Sequence, residues 1–353
     1  MTKPELNTEQ LKIVESTKPQ VVVVSCAATG KTRTLTARLQ HLIDKGVDPH
    51  KIVAITFTNN AAAEIESRLT NGKGIFIGTI HSYCNYLLRR NGTNTTTYIE
   101  NEQFDKLFRV LKNLPRADIE EVEHLLLDEA QDSNKEQFDF ILKMVKPKNW
   151  MFFGDWNQSI YEFNGAEPKA LMRLAKKPDT TVYHLTKNYR NGTAILDFAK
   201  TFLTPLGADF YDNSECASPR SGSVITSKLQ LKQSVDYAVS QMTPETYKDW
   251  FILCRYNNQI DQVAALLANY EIPFVNFRQA DLTYSQLQAA LNSNCVKVLT
   301  IHSAKGLEAE NVLVESCWRG APEELRIKYV AATRAKNLLL WNNVAAKRKR
   351  KRK

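Results

Sequence analysis

The sequence predicts an α/β protein in which parallel sheets carry helices on both faces. Short apolar runs, many of them rich in valine and isoleucine, alternate with helix-period stretches almost throughout. One run, 21–24, is four valines followed by Ser25-Cys26-Ala27-Ala28-Thr29-Gly30-Lys31-Thr32, which reads as a buried strand turning sharply into a helix. Another, 124–127, ends in Asp128-Glu129-Ala130-Gln131-Asp132, which puts two carboxylates at the carboxyl end of a strand.

The strands expected in the first half are 21–24, 51–57, 74–78, 124–127, 151–153 and 182–185. Helices fall between them, for instance 31–45, stopped by Gly46, and 61–69. The second half repeats the scheme with strands at 223–227, 250–254, 273–277, 296–301, 311–315 and 337–341, and helices at 230–242, 258–268 and 322–335. A stretch rich in Gly, Ser, Asp and Pro at 207–222 predicts an irregular connection. No short-period repeat interrupts this pattern. Two α/β lobes of similar size follow, 1–190 and 191–346, with a small helical insertion near 85–123. A nucleotide is expected where carboxyl ends of strands face a cleft.

Composition narrows the class. At 353 residues there is room for two domains with real cores, and 43% hydrophobic with 24% charged residues is a soluble, globular balance. No stretch approaches the ~18 consecutive apolar residues of a membrane span, and the first residues lack the apolar core of a secretory signal. Six scattered cysteines without pairing or zinc-ligand spacing point to reduced thiols and an intracellular setting. Net charge is +9, but residues 347–353 are all Lys or Arg, so the rest of the chain is only mildly basic. Such a tail cannot fold; it would add phosphate affinity, serve as a nuclear address or be an added tag.

The two signature runs predict nucleotide hydrolysis. Backbone N–H groups of the loop and a helix N-terminus would face a phosphate, Lys31 would meet the β/γ-phosphates, and Thr32 with Asp128 would hold Mg²⁺. Glu129 is placed to activate water. Gln158 follows a further strand near the γ-phosphate, and Arg190 and Arg334 lie far downstream, where a guanidinium reaching the γ-phosphate would accelerate hydrolysis by roughly 10³–10⁵.

Beyond these runs the chain resembles the UvrD/Rep-type superfamily 1 DNA helicases. Leu6-Asn7-Thr8-Glu9-Gln10 is similar to the family's Q motif, residues 56–64 to motif Ia, and Gly78-Thr79-Ile80-His81-Ser82 to Ib. Residues 128–132 resemble motif II, 154–166 motif III, 185–190 motif IV, 300–308 motif V and 329–335 motif VI. The motifs keep the family's order over nearly the whole chain. The resemblance implies two RecA-like lobes with ATP in the cleft between them. Gln10 would then read adenine, Tyr189 would stack on it, Arg33 would help hold the nucleotide, and Glu308 would meet the ribose. Phe57, Thr79, His81, Tyr161, Phe163 and His302 match positions that contact single-stranded DNA. Aromatic side chains at strand ends suit that role, since base stacking reads no sequence. Phe57, inside an apolar run, and Phe163 could instead be core residues, the lesser alternative for both.

Three departures from the family pattern stand out. Ala28 occupies a usual glycine position, where a left-handed backbone would cost about 1–2 kcal/mol; the expectation is a loop conformation that alanine tolerates. Asn164 replaces an arginine of motif III, so altered coupling to DNA is expected. The chain is also much shorter than familiar members, which makes translocation a safer expectation than strand separation. The leading expectation is an ATP-dependent translocase or helicase, 3′-to-5′ by the resemblance, acting on single-stranded DNA or a duplex with a single-stranded overhang, with an accessory protein as a further candidate partner. The alternatives are a nucleotide-gated binding module with weak or no hydrolysis, and an RNA-directed motor. No second carboxylate cluster suggests a nuclease. The location would be cytoplasm or nucleoid, or the nucleus if the basic tail is native.

Overall fold

The structure, a computed structural model, describes residues 5–101, 103–111, 121–210, 212–277, 281–318 and 321–345. The basic tail and part of the expected insertion lie outside the described residues. By contacts the chain divides into two compact units, one of Met1–Ser25 with Gly30–Leu185, the other of Cys26–Thr29 with Thr186–Lys353.

The first unit is built on six strands: β1 (Gln20–Ser25), β2 (Ile52–Thr56), β3 (Phe76–Thr79), β4 (His124–Leu127), β5 (Asn149–Gly154) and β6 (Thr181–Leu185). They form one sheet in the order β3-β2-β4-β5-β1-β6, parallel at every pairing. Val21, Val22 and Val23 of β1 and the Ile-Val-Ala-Ile run of β2 are buried on both faces, as central strands of a covered parallel sheet require. Helix Lys31–Asp44 buries Leu35, Leu39 and Leu42 at helical spacing against one face. It ends where Gly46, at φ 80°, lets its own N–H and that of Val47 close back on Ile43 and Leu42. On the other face, helices Ile80–Arg90 and Phe104–Leu111 share a core through Tyr83, Leu87, Leu88, Leu107, Phe108 and Leu111. The described part of the insertion is thus packed into this unit.

The second unit adds β7 (Lys187–Asn188) and β8 (Glu215–Cys216), a small parallel pair. Its main sheet comprises β9 (Ser223–Ser227), β10 (Trp250–Cys254), β11 (Phe274–Asn276), β12 (Val296–Thr300), β13 (Ala309–Trp318) and β14 (Ala335–Ala345), again all parallel, in the order β11-β12-β10-β13-β14-β9. The sequence reading placed all twelve main strands. It missed β7 and β8, whose two-residue length gives no periodicity to read. It also carried the helix at 322–335 too far: Pro322–Ala332 is helical, and Ala335 already belongs to β14. Among the described residues no helix is long and apolar enough to cross a membrane.

Candidate functional site

In the first unit the strand order arranges the chemistry. Because the strands are parallel, their carboxyl ends share one edge, and the loops there follow the order of the sheet. Thr79 and His81 come at the end of β3, Phe57 after β2, Asp128 and Glu129 after β4, Gln158 and Tyr161 after β5, and Gly30 to Thr32 after β1.

Toward the β1 end of this edge sits a compact charge cluster. Lys31 Nζ lies 2.5 Å from Glu129 Oε1 and 3.7 Å from Asp128 Oδ1, and Thr32 Oγ1 donates to Asp128 Oδ2 at 3.3 Å. Burial opposes the charge on Lys31, but Glu129 and Asp128 hold the ammonium above its usual value. Asp128 is pushed above the ordinary carboxylate value by burial, with Lys31 pulling the other way. Glu129 adopts φ 49°, a left-handed backbone uncommon for a residue with a Cβ. Gly30, at φ 79°, precedes the helix, and a Cβ there would come 2.7 Å from Gln10 Nε2. Gln10 is itself buried and closes a reciprocal cap with Asn7. Gln158 Nε2 donates to Asp155 Oδ2 at 2.6 Å. Arg33, half-buried, follows Thr32 on the same helix.

Toward the β2 end lies an aromatic surface. Phe57 stacks on Tyr161 at 4.9 Å and 28°, and Tyr161 meets Phe163 at 5.9 Å. Phe57 is 40% exposed and Phe163 66%, so neither is a core residue. The core alternative for both is excluded by these exposures. Burial beside Asp132 and Glu129 keeps the Tyr161 hydroxyl protonated, raising it above the usual tyrosine value. Thr79 caps helix Ile80–Arg90 through Ser82 N, and His81 meets the edge of Phe108 at 5.5 Å.

Ala28 overturns one expectation. The loop does not avoid the left-handed region: Ala28 sits at φ 59°, a strain of about 1–2 kcal/mol that glycine would not feel. By contacts Cys26–Thr29 belong to the second unit, where Tyr189 N donates to Ala28 O at 3.1 Å and Asn188 Nδ2 to Ala27 O at 2.9 Å. Cys26 Sγ lies 3.4 Å from Asn213 Oδ1, and Thr29 Oγ1 donates to Cys26 O at 3.0 Å. Ser25, which closes β1 in the first unit, donates to Gly154 O at 3.1 Å. These bonds hold Ala28 in its strained conformation.

The second unit holds its arginines differently. Arg190 Nε lies 2.5 Å from Glu308 Oε2 and its Nη1 donates to Thr333 O at 3.2 Å. Glu308 also meets Lys336 at 2.9 Å, and Lys336 reaches Glu310 at 3.4 Å. Burial alone would raise Glu308, yet Arg190 and Lys336 bring it down to about 2. Arg334 is 1% exposed, with Nε on Val330 O at 2.9 Å, Nη1 on Leu307 O at 3.1 Å and Nη2 on Thr333 Oγ1 at 3.1 Å. Tyr189 is 46% exposed, and His302 lies in the turn after β12. Of Asn164 only the backbone is described, in the turn Glu162–Asn164.

Comparison with known proteins gives the family. The profile of the UvrD/REP helicase N-terminal domain matches residues 6–114 and 103–179, and that of the UvrD-like helicase C-terminal domain matches 276–343. The chain belongs to the UvrD/Rep helicase family. It is 27% identical to a "Probable DNA helicase" of Mycoplasma pneumoniae, over 96% of this chain and 83% of that protein. It is 26% identical to a "Probable DNA helicase II homolog" of Mycoplasma capricolum, over 76% of this chain and 51% of the relative. Against the "ATP-dependent DNA helicase PcrA" of Staphylococcus aureus identity is 27%, over 56% of this chain and 40% of that one. The chain therefore spans about half of the Mycoplasma capricolum protein and less of PcrA. The two parallel α/β units are those expected of this family.

Sequence reasoning missed Gln131, Asp155 and Lys336. Gln131 stands inside the run already quoted, but nothing in sequence says where its amide points. Lys336 comes close to Glu308 only because β13 and β14 pair from Ala309 and Ala335 onward, which no local pattern encodes.

Proposed function

We propose that this chain is an ATP-dependent motor that moves 3′-to-5′ along single-stranded DNA and opens duplexes carrying a single-stranded overhang. The observation that carries the proposal is the sharing of one sheet edge by the Lys31–Asp128–Glu129 cluster and the stack of the exposed Phe57 on Tyr161. Family membership and the names of the relatives support it.

In this reading Lys31, with Gly30 and the helix N-terminus, takes the ATP phosphates, which frees Glu129 from its ion pair to orient and deprotonate water. The buried Asp128 carboxylate and the Thr32 hydroxyl are hard oxygen donors that suit Mg²⁺, which would neutralise phosphate charge. Gln158 orients the attacking water, Tyr189 stacks on adenine and Gln10 reads it, with Arg33 and Glu308 on the rest of the nucleotide. Arg190 and Arg334 complete charge stabilisation when the two units close, and hydrolysis lets them reopen. Phe57, Tyr161 and Phe163 stack bases at about 1–3 kcal/mol each, with Thr79, His81 and His302 on the strand. An intracellular setting and an accessory protein that restores unwinding fit this role.

Strand displacement on duplexes with 3′ or 5′ overhangs, beside ATPase assays with and without single-stranded DNA, tests it. Unwinding from 3′ overhangs is expected, and no DNA stimulation of turnover would remove the motor class. Competition between matched DNA and RNA strands decides the polymer. The strain at Ala28 favours one second reading, a nucleotide-gated binding module, which slow turnover unaffected by DNA would support.

A further inference from the structure

We infer that Gln131 is a positioning residue that links the aromatic surface to Glu129, so that DNA stimulation of hydrolysis passes through its side chain. The inference rests on the motor reading above and goes beyond it by naming the connection between its two halves.

Gln131 is fully buried, and both ends of its amide are engaged. Nε2 donates to Glu129 Oε2 at 2.5 Å, on the carboxylate whose other oxygen pairs with Lys31. Oε1 accepts from Asp155 N at 2.9 Å, and the main-chain carbonyl of Gln131 accepts from Ser159 Oγ at 3.2 Å. One residue thus grips both ends of the segment 155–159. Within that segment Asp155 accepts from Asn157 N at 3.0 Å and Gln158 Nε2 at 2.6 Å. Two residues beyond Ser159, Tyr161 stacks on Phe57. A contiguous path of hydrogen bonds and ring contacts therefore runs from Glu129 through Gln131 and the 155–161 segment to the exposed rings.

The path is rigid for identifiable reasons. Gly154 lets the segment approach closely, since a Cβ there would come 2.9 Å from Gln131 Oε1 and 2.4 Å from Leu171 Cδ2. Burial makes each unmade bond costly, so Gln131 cannot release one partner without exposing or orphaning another. A base inserted against Tyr161 shifts the segment, and the segment holds, through Asp155 N, the Gln131 amide that orients the Glu129 carboxylate. Removing that amide takes away the bond on Oε2 and leaves the ion pair on Oε1 with Lys31, the group that the ATP phosphates take away.

The test compares wild type with Gln131→Met, which matches length but cannot hydrogen-bond, and Gln131→Glu, which keeps the acceptor for Asp155 N but cannot donate to Glu129 when ionised. ATP turnover is measured with and without oligo-dT at pH 8, alongside oligo-dT affinity and thermal unfolding. For both variants we expect the DNA-stimulated kcat to fall about 10–100-fold. The ratio of stimulated to basal rate should approach one, while oligo-dT affinity and KM for ATP change less than about twofold, within the rate-specific pattern. A wild-type ratio in either folded variant overturns the inference, as does a loss explained wholly by weaker DNA binding. Should Gln131→Met fail to fold, Gln131→Glu alone decides. Wild-type protein without DNA-stimulated turnover would instead refute the motor reading, which keeps the two failures distinct.

Discussion

The two units place functional residues on their sheets in different directions. In the first, the candidates line up sideways along one carboxyl edge, with Lys31 and Thr32 after β1, Asp128 and Glu129 after β4, Gln158 and Tyr161 after β5, Phe57 after β2, and Thr79 and His81 at the end of β3. In the second they are separated along the strands. His302 follows the carboxyl end of β12, whereas Glu308 and Arg334 immediately precede β13 and β14. The segment 301–308 runs back along the sheet, because Thr300 and Glu315 both pair with Cys254 and Ala309 lies six residues earlier than Glu315. Lateral placement puts Gln158 and Tyr161 on one loop, 155–161; lengthwise placement needs a crossing segment. The holding forces differ too. The first unit fixes its acids with side chains, while the second fixes Arg334 mainly with backbone carbonyls.

Arg334→Ala tests the second unit most severely. DNA-stimulated turnover should fall about 10³–10⁵-fold, and near-normal kcat would show that the charge comes from elsewhere. Thermal unfolding must accompany it, because the change removes a buried donor from the carbonyls of Val330 and Leu307. Glu129→Gln, in the first unit, should lower kcat about 10²–10⁴-fold with nucleotide affinity retained. Loss of affinity in place of rate would make Glu129 only a partner of Lys31.

Phe57→Ala separates the two ends of the shared edge. Oligo-dT affinity should weaken by about 1–3 kcal/mol while turnover without DNA persists. Ala28→Gly should tighten ATP binding or raise stability by about 1–2 kcal/mol, since glycine adopts φ 59° without a Cβ clash. An unchanged value in isothermal titration and melting would mean that the surrounding bonds have already relaxed the loop.

The smallest effect contrasts the buried acids. Asp128 is compensated by Lys31, but Glu315, buried in the second unit, accepts from the neutral donors Ser234 Oγ and Asn342 Nδ2. Burial pushes Glu315 up to about 7 from 4.5, so the folded unit holds this proton more tightly than the unfolded chain. That contribution is complete below pH 4.5 and is lost as pH rises through 7. Glu315→Gln should therefore raise the melting temperature by a few degrees at pH 8 and change little near pH 4. Equal shifts at both pH values would show that ionisation is not the cause.

The sequence by itself determined the twelve main strands, the two α/β units and the residue types of the phosphate and carboxylate motifs. Those signals are local: continuous apolar runs mark strands covered on both faces, and Gly30-Lys31-Thr32 or Asp128-Glu129 declare their chemistry by composition. Only the tertiary structure decided that Phe57 joins Tyr161 and Phe163, that Gln131 bridges Glu129 to Asp155, and that Lys336 meets Glu308. It also decided that Ala28 takes the left-handed conformation sequence reasoning expected it to avoid. Each of these depends on which strands are neighbours and how their ends align, and neighbourhood in a parallel sheet is fixed by long-range pairing that no short window of sequence contains.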